Sequence, residues 1–174
     1  MGKFFISLGA LVMTGLVAGS LVYGATTTGA VTVSVTAQSI SVAVTDGAVA
    51  YGSLALSATG STTASGVTDD SQTATNDGNQ AETFNIKGQN ASSTGTPWTL
   101  AGTIGSDQYK HEVCTSTCDS TPTWRTLSTG YITLDTNKAQ SGTSVFDLQI
   151  SMPSGSSDAY QHSADLTVQA IAYP

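Results

Sequence analysis

Val145-Phe146-Asp147-Leu148-Gln149-Ile150-Ser151-Met152-Pro153 places an apolar side chain at every second position from Phe146 to Met152 and closes on a residue without an amide hydrogen. Successive side chains of an extended chain point to opposite faces, so Phe146, Leu148, Ile150 and Met152 share one face of a strand. Proline cannot donate to a ladder, and the strand is expected to stop before it. Leu166, Val168, Ala170 and Ala172 repeat the rhythm near the carboxyl end.

Working outward, the same period of two recurs. Val31, Val33 and Val35 alternate with Thr32, Ser34 and Thr36, and Ile40, Val42 and Val44 follow. Asp46-Gly47 then predicts a hairpin into Val49, Tyr51, Leu54 and Leu56, with a bulge at Gly52-Ser53. Residues 57–66 are Ser, Thr, Ala and Gly and are expected to form a loop with little to bury. Residues 67–75 make a weaker strand that enters Asn76-Asp77-Gly78-Asn79, residue types that tolerate positive φ. The next strand carries Phe84 and Ile86 inward, with Glu82, Asn85 and Lys87 outward, and its expected partner is the segment around Trp98 and Leu100. Further strands are expected at 109–113, 124–127 and 131–134. No stretch of ten residues carries a helical apolar stripe. The reading is all-β: nine or ten strands in an immunoglobulin-like or jelly-roll β-sandwich of two antiparallel sheets.

The amino-terminal segment differs. Lys3 is followed by an uncharged run from Phe4 to Tyr23 and then by Val22-Tyr23-Gly24-Ala25. This is the layout of a secretory signal helix over residues 1–24, cleaved after Gly24, with Ala25 and Ser20 as alternative sites. An uncleaved membrane anchor is the competing reading, since the run is just long enough to span a bilayer. In either case residues 25–174 form one domain outside the cytoplasm, and the membrane is met only through the leader.

Past the leader, Lys87, Lys110, Arg125 and Lys138 face 12 acidic residues, a formal charge of −8. Such a surface repels phosphate backbones, which sets nucleic acid aside as a partner. Cys114 and Cys118 frame a five-residue loop and, in an exported chain, are expected to oxidise to a disulfide. A metal site on His111, Cys114 and Cys118 competes with that disulfide but has no evident fourth ligand. Asp69, Asp70, Asp77 and Asn79 supply oxygen ligands suited to calcium, against the plainer reading of solvated turns. Trp98 and Trp124 are either stacking platforms for a surface polysaccharide or core rings. Asn90-Ala91-Ser92 is a formal glycosylation acceptor. The histidines, His111 and His162, lie in no His-Glu-x-x-His spacing, and residues 25–174 hold no Gly-x-Ser-x-Gly elbow, so the chain reads as non-enzymatic.

Residues 75–86, Thr-Asn-Asp-Gly-Asn-Gln-Ala-Glu-Thr-Phe-Asn-Ile, resemble the Asn/Gly hairpin of bacterial and archaeal immunoglobulin-like cell-surface domains of the cell-adhesion-related type. Gly142-Thr143-Ser144 with Phe146-Asp147-Leu148-Gln149-Ile150 through Pro153, and a last strand over 164–172, extend the likeness to roughly residues 65–172. The Gly/Ala-rich leader followed by a strand is also similar to the camelysin/TasA group of fibre-forming proteins, although long charged insertions are missing here and the Cys114–Cys118 loop is added. The resemblance implies a secreted, structural surface subunit partnered by copies of itself or by other cell-surface proteins. The leading strand 29–36, with Val31, Val33 and Val35, is then either the first strand of its own sandwich or a strand donated to a neighbour's sheet edge. An adhesin or carbohydrate-binding module with exposed aromatic loops is the alternative.

Overall fold

The computed structural model describes residue 30 and residues 32–174. One compact unit spans Thr36–Pro174. The leader, its cleavage positions and Val31 lie outside the described residues.

Ten strands and no helix occur among the described residues: β1 (Val42–Thr45), β2 (Thr59–Ser61), β3 (Gln72–Asn76), β4 (Glu82–Lys87), β5 (Thr99–Leu100), β6 (Gln108–Cys114), β7 (Arg125–Thr126), β8 (Ile132–Lys138), β9 (Thr143–Ser151) and β10 (Thr167–Ala172). The larger sheet runs β1-β3-β9-β6-β5, with β2 also on β9 and β7 also on β6, and the smaller runs β10-β4-β8. Ala74, Val113, Phe146 and Leu148 of the larger sheet close one buried cluster with Phe84, Ile86 and Leu134 of the smaller. The arrangement is consistent with a β-sandwich. Among the described residues, all pairings between these strands are antiparallel except β5 on β6, which is parallel.

The nine-residue β9 organises the larger sheet. Along one edge it pairs first with β3 and then with β2, and along the other with β6. The gap between β3 and β2 is filled by Thr62, which is fully buried. Its amide donates to the Leu148 carbonyl at 2.9 Å. Its hydroxyl accepts from the Leu148 amide at 2.9 Å and donates to Asp147 Oδ1 at 2.8 Å. Each polar group that burial strips of water is thus given a partner, which is what a buried polar site requires. The expectation of an idle loop over 57–66 is corrected: the segment contains β2 and two buried threonines, Thr62 and Thr63.

Four local expectations are overturned by tertiary pairing. Residues 32–41 form no strand, and Ile40 is exposed. Asp46-Gly47 does not close a hairpin: β1 pairs with β3, and the following residues 47–56 form no strand. Val49 and Tyr51 nevertheless pack on the core. Asn76 to Asn79 is not a hairpin either, because β3 and β4 belong to different sheets and the turn carries the chain across. It also dispenses with positive φ. Asn76 instead uses its side chain: Oδ1 accepts from the Gly78 amide, and Nδ2 donates to the Gln80 and Lys138 carbonyls at 2.7 and 2.8 Å. Last, β5 adds to β6 rather than to β4, whose neighbours are β10 and β8.

Glu82 was expected to face outward with Asn85 and Lys87, and it is fully buried. Period two puts residue 82 on the face of Phe84 and Ile86, and the alternation prevails over the charge. Its Oε1 accepts from the Ser41 amide at 2.8 Å, and its buried Oε2 has no hydrogen-bond partner among the described residues.

Candidate functional site

The segment expected to be the first strand ends where the compact unit begins. Val33 is 84% and Val35 92% exposed. From Ala37 on, the chain is fastened to the turn between β3 and β4. Asn79 Nδ2 donates to the Ala37 carbonyl at 2.7 Å, and Asn79 Oδ1 accepts from the Ser39 amide at 2.8 Å. The Asn79 amide donates to the Ser39 carbonyl, the Asp77 amide donates to the Ser41 carbonyl, and Glu82 takes the Ser41 amide. Gly78 is required here because a Cβ would run into the Ser39 carbonyl and the Glu82 carboxylate.

The smaller sheet has two edges with different protection. At β8, the chain's single arginine reaches across from β7: Arg125 Nη1 donates to the Thr133 carbonyl, and Nη2 to the Leu134 carbonyl at 3.3 Å. Charged cover of this kind is a common way of blunting a sheet edge. At the other edge, β10 pairs only with β4 among the described residues. The Tyr173 amide donates to the Ala81 carbonyl, and every β10–β4 pair continues that register without a bulge. By the alternation of an antiparallel ladder, Thr167, Gln169 and Ile171 turn their backbone groups toward β4, and Val168, Ala170 and Ala172 turn theirs to the open side. The side chains of Val168 and Ala170 pack on the core, whereas Ile171 and Tyr173 are exposed. Sequence reading missed both Arg125 and this edge. The lone arginine was a visible signal, but which strand lies at an edge is a property of topology.

Cys114 and Cys118 form a disulfide, with Cα atoms 5.8 Å apart. Sulfurs bonded to each other are not thiolate ligands, so the site on His111, Cys114 and Cys118 is not assembled. The disulfide suits an oxidising compartment. His111 is buried on β6 with Nε2 3.1 Å from the Tyr51 hydroxyl, and Nδ1 has no hydrogen-bond partner. Burial pulls the imidazole down to about 4, so the ring is neutral at pH 7. Tyr51 is held protonated, first by burial and then by the charges of Asp70 and Asp147. Burial likewise pushes Tyr109 up to about 12.

The oxygen ligands expected for calcium do not converge. Asp69 and Asp70 precede β3 and Asp77 and Asn79 follow it, leaving the strand's five residues, about 17 Å of extended chain, between the pairs. Asp70 Oδ1 accepts from Gln72 Nε2, and Asn79 serves the Ala37–Ser39 clamp. Among the described residues, no group of three or more His, Cys, Asp or Glu side chains could hold a metal ion.

Of the two tryptophans considered as platforms and the tyrosines Tyr109 and Tyr131, Trp98 is buried, stacked on His162 with ring centroids 3.6 Å apart. Trp124 is half-buried and Tyr109 is buried. Tyr131 is exposed, with the Lys87 ammonium 4.8 Å above its ring. These four side chains therefore offer no shared stacking surface. No protein-family model, curated protein or solved structure matches the chain.

Proposed function

We propose that this chain is a secreted, non-enzymatic structural protein of the bacterial or archaeal cell surface, built as an immunoglobulin-like or jelly-roll sandwich. It assembles with copies of itself when residues 29–36 of one copy add as a strand to the β10 edge of the next. The observation that carries the reading is the exposure of Val33 and Val35 immediately before the Ala37 clamp. Such side chains stabilise nothing while they face water. Burying each would contribute about 1.5–3 kcal/mol. Each ladder hydrogen bond would add about 0.5–1.5 kcal/mol. The β10 edge, which pairs only with β4 among the described residues, offers the outward backbone groups of Val168, Ala170 and Ala172, which is the template an added strand needs. Period two then sets the register, because a slip by one residue would turn the valines to solvent.

The test is negative-stain electron microscopy of the purified chain across a concentration series. Fibres or sheets are expected for the wild type. Val33→Asp/Val35→Asp should leave monomers. Ala170→Pro should do the same while keeping the fold, since the amide it removes points away from β4. A wild type that stays monomeric at every concentration, or assemblies that persist in both variants, would refute the proposal.

A further inference from the structure

We infer that a groove between residues 92–96 and 158–163 binds a neutral, hydroxyl-rich oligosaccharide, a role independent of self-assembly. The groove is lined by Ser92, Ser93, Thr94, Tyr160, Gln161 and Ser163 and has a volume of about 530 Å³. That size falls within the roughly 300–1,000 Å³ of ligand sites. Its lining consists of four hydroxyls, one carboxamide and one phenol, all of them groups that both donate and accept hydrogen bonds without carrying charge.

The aromatic member is the unusual one. Tyr160 is 60% exposed, although a ring of that size ordinarily contributes most when buried. A sugar offers such a ring an apolar C–H face, with hydroxyls at its rim for the surrounding serines, threonine and glutamine. Rigid tyrosine set among adaptable small polar groups is also the composition of effective recognition surfaces elsewhere.

The walls are tied together at both ends. At one end, Ser92 and Ser163 exchange backbone hydrogen bonds of 2.7 and 3.0 Å. At the other, Asp158 accepts from the Thr96 amide at 2.5 Å and from the Tyr160 amide at 3.1 Å. His162 bridges the same two segments, with Nε2 3.0 Å from the Thr96 carbonyl and Nδ1 2.9 Å from the Tyr160 carbonyl. Its ring is stacked on Trp98, whose Nε1 donates to Ser156 Oγ at 3.1 Å. Gly95 completes the fit: a Cβ there would sit 2.5 Å from Tyr160 Cδ2. The backbone that carries the tyrosine is therefore fixed before any ligand arrives, which lowers the ordering cost of binding.

Charge selects the class of glycan. The carboxylate that anchors Tyr160 is Asp158, and residues 25–174 carry a formal −8. Acidic polysaccharides and nucleic acids are repelled, whereas a neutral glycan is not.

Saturation-transfer difference NMR on the purified full-length chain tests this with maltohexaose, cellohexaose and chitohexaose, and with hexagalacturonate as the charged comparison. Binding of at least one neutral hexasaccharide is expected, weakened about tenfold or more by Tyr160→Ser and unchanged by Tyr131→Ser, which removes an exposed ring elsewhere. Circular dichroism melting establishes that both variants are folded. Three outcomes would overturn the inference: no transfer to any neutral hexasaccharide, unchanged affinity in the Tyr160 variant, or equal binding of hexagalacturonate.

Discussion

Residues 31–36 and residues 145–152 carry the same apolar alternation, and the fold treats them in opposite ways. The second became β9, paired along both edges and contributing Phe146 and Leu148 to the shared core. In the first, Val33 and Val35 face solvent, and no strand is formed by residues 32–36. Alternation expresses a capacity to be half-buried in a sheet. Whether it is used depends on an available edge and an apolar surface to cover. β9 finds both because β3, β2 and β6 are supplied by the same compact unit, and a strand gains its stability from such cross-strand neighbours.

The contrast can be measured. The largest difference should come from truncating equivalent apolar positions: Phe146→Ala is expected to cost about 3–5 kcal/mol in urea unfolding, against no more than about 0.5 kcal/mol for Val33→Ala. Comparable losses at the two sites would mean that the leading segment is packed in the monomer. Acid should then act on the paired region. Folded His111, on the β6 partner of β9, titrates near 4, against an ordinary value near 6.5 in the unfolded chain. The unfolded state therefore binds the extra proton between these values. Stability is complete above about pH 6.5 and falls by roughly 3 kcal/mol as pH drops to about 4. His111→Gln should flatten that part of the pH profile, and a profile as steep as the wild type's would remove His111 as its source. The smallest effect concerns the boundary between the regions. Asn79→Ala, which deletes two side-chain hydrogen bonds to Ala37 and Ser39, should cost about 1 kcal/mol and increase hydrogen exchange at Ser39. Unchanged exchange there would show that the clamp does not hold the segment.

Where sequence reading failed, it generally treated a local turn signal as a hairpin. Asp46-Gly47 and Asn76 to Asn79 are turns in composition, and Gly47 does adopt a positive φ of 84°. A turn fixes a change of direction but not the partner of the strand that follows. In both places the next partner comes from another part of the chain or from the other sheet. Glu82 taught a different lesson: alternation assigned it correctly to the inner face, and the habit of placing charges outside did not. The groove at Tyr160 had no sequence signal, because its two walls are about 65 residues apart and are joined by tertiary contacts such as Ser92–Ser163, Thr96–Asp158 and Thr96–His162.

What this chain's residue order determined unaided was the all-β class, strands close to β6, β8, β9 and β10, the stop at Pro153 and the Cys114–Cys118 disulfide. Each follows from interactions between near neighbours: side-chain alternation, a missing amide hydrogen, or two sulfurs four residues apart. Tertiary structure alone decided which strands pair, which edge is guarded by Arg125 and which has no further strand among the described residues, and where Asn79 directs its side chain. Those outcomes depend on backbone groups identical in every residue, so their partners are chosen by the packing of the whole sheet rather than by any local string of side chains.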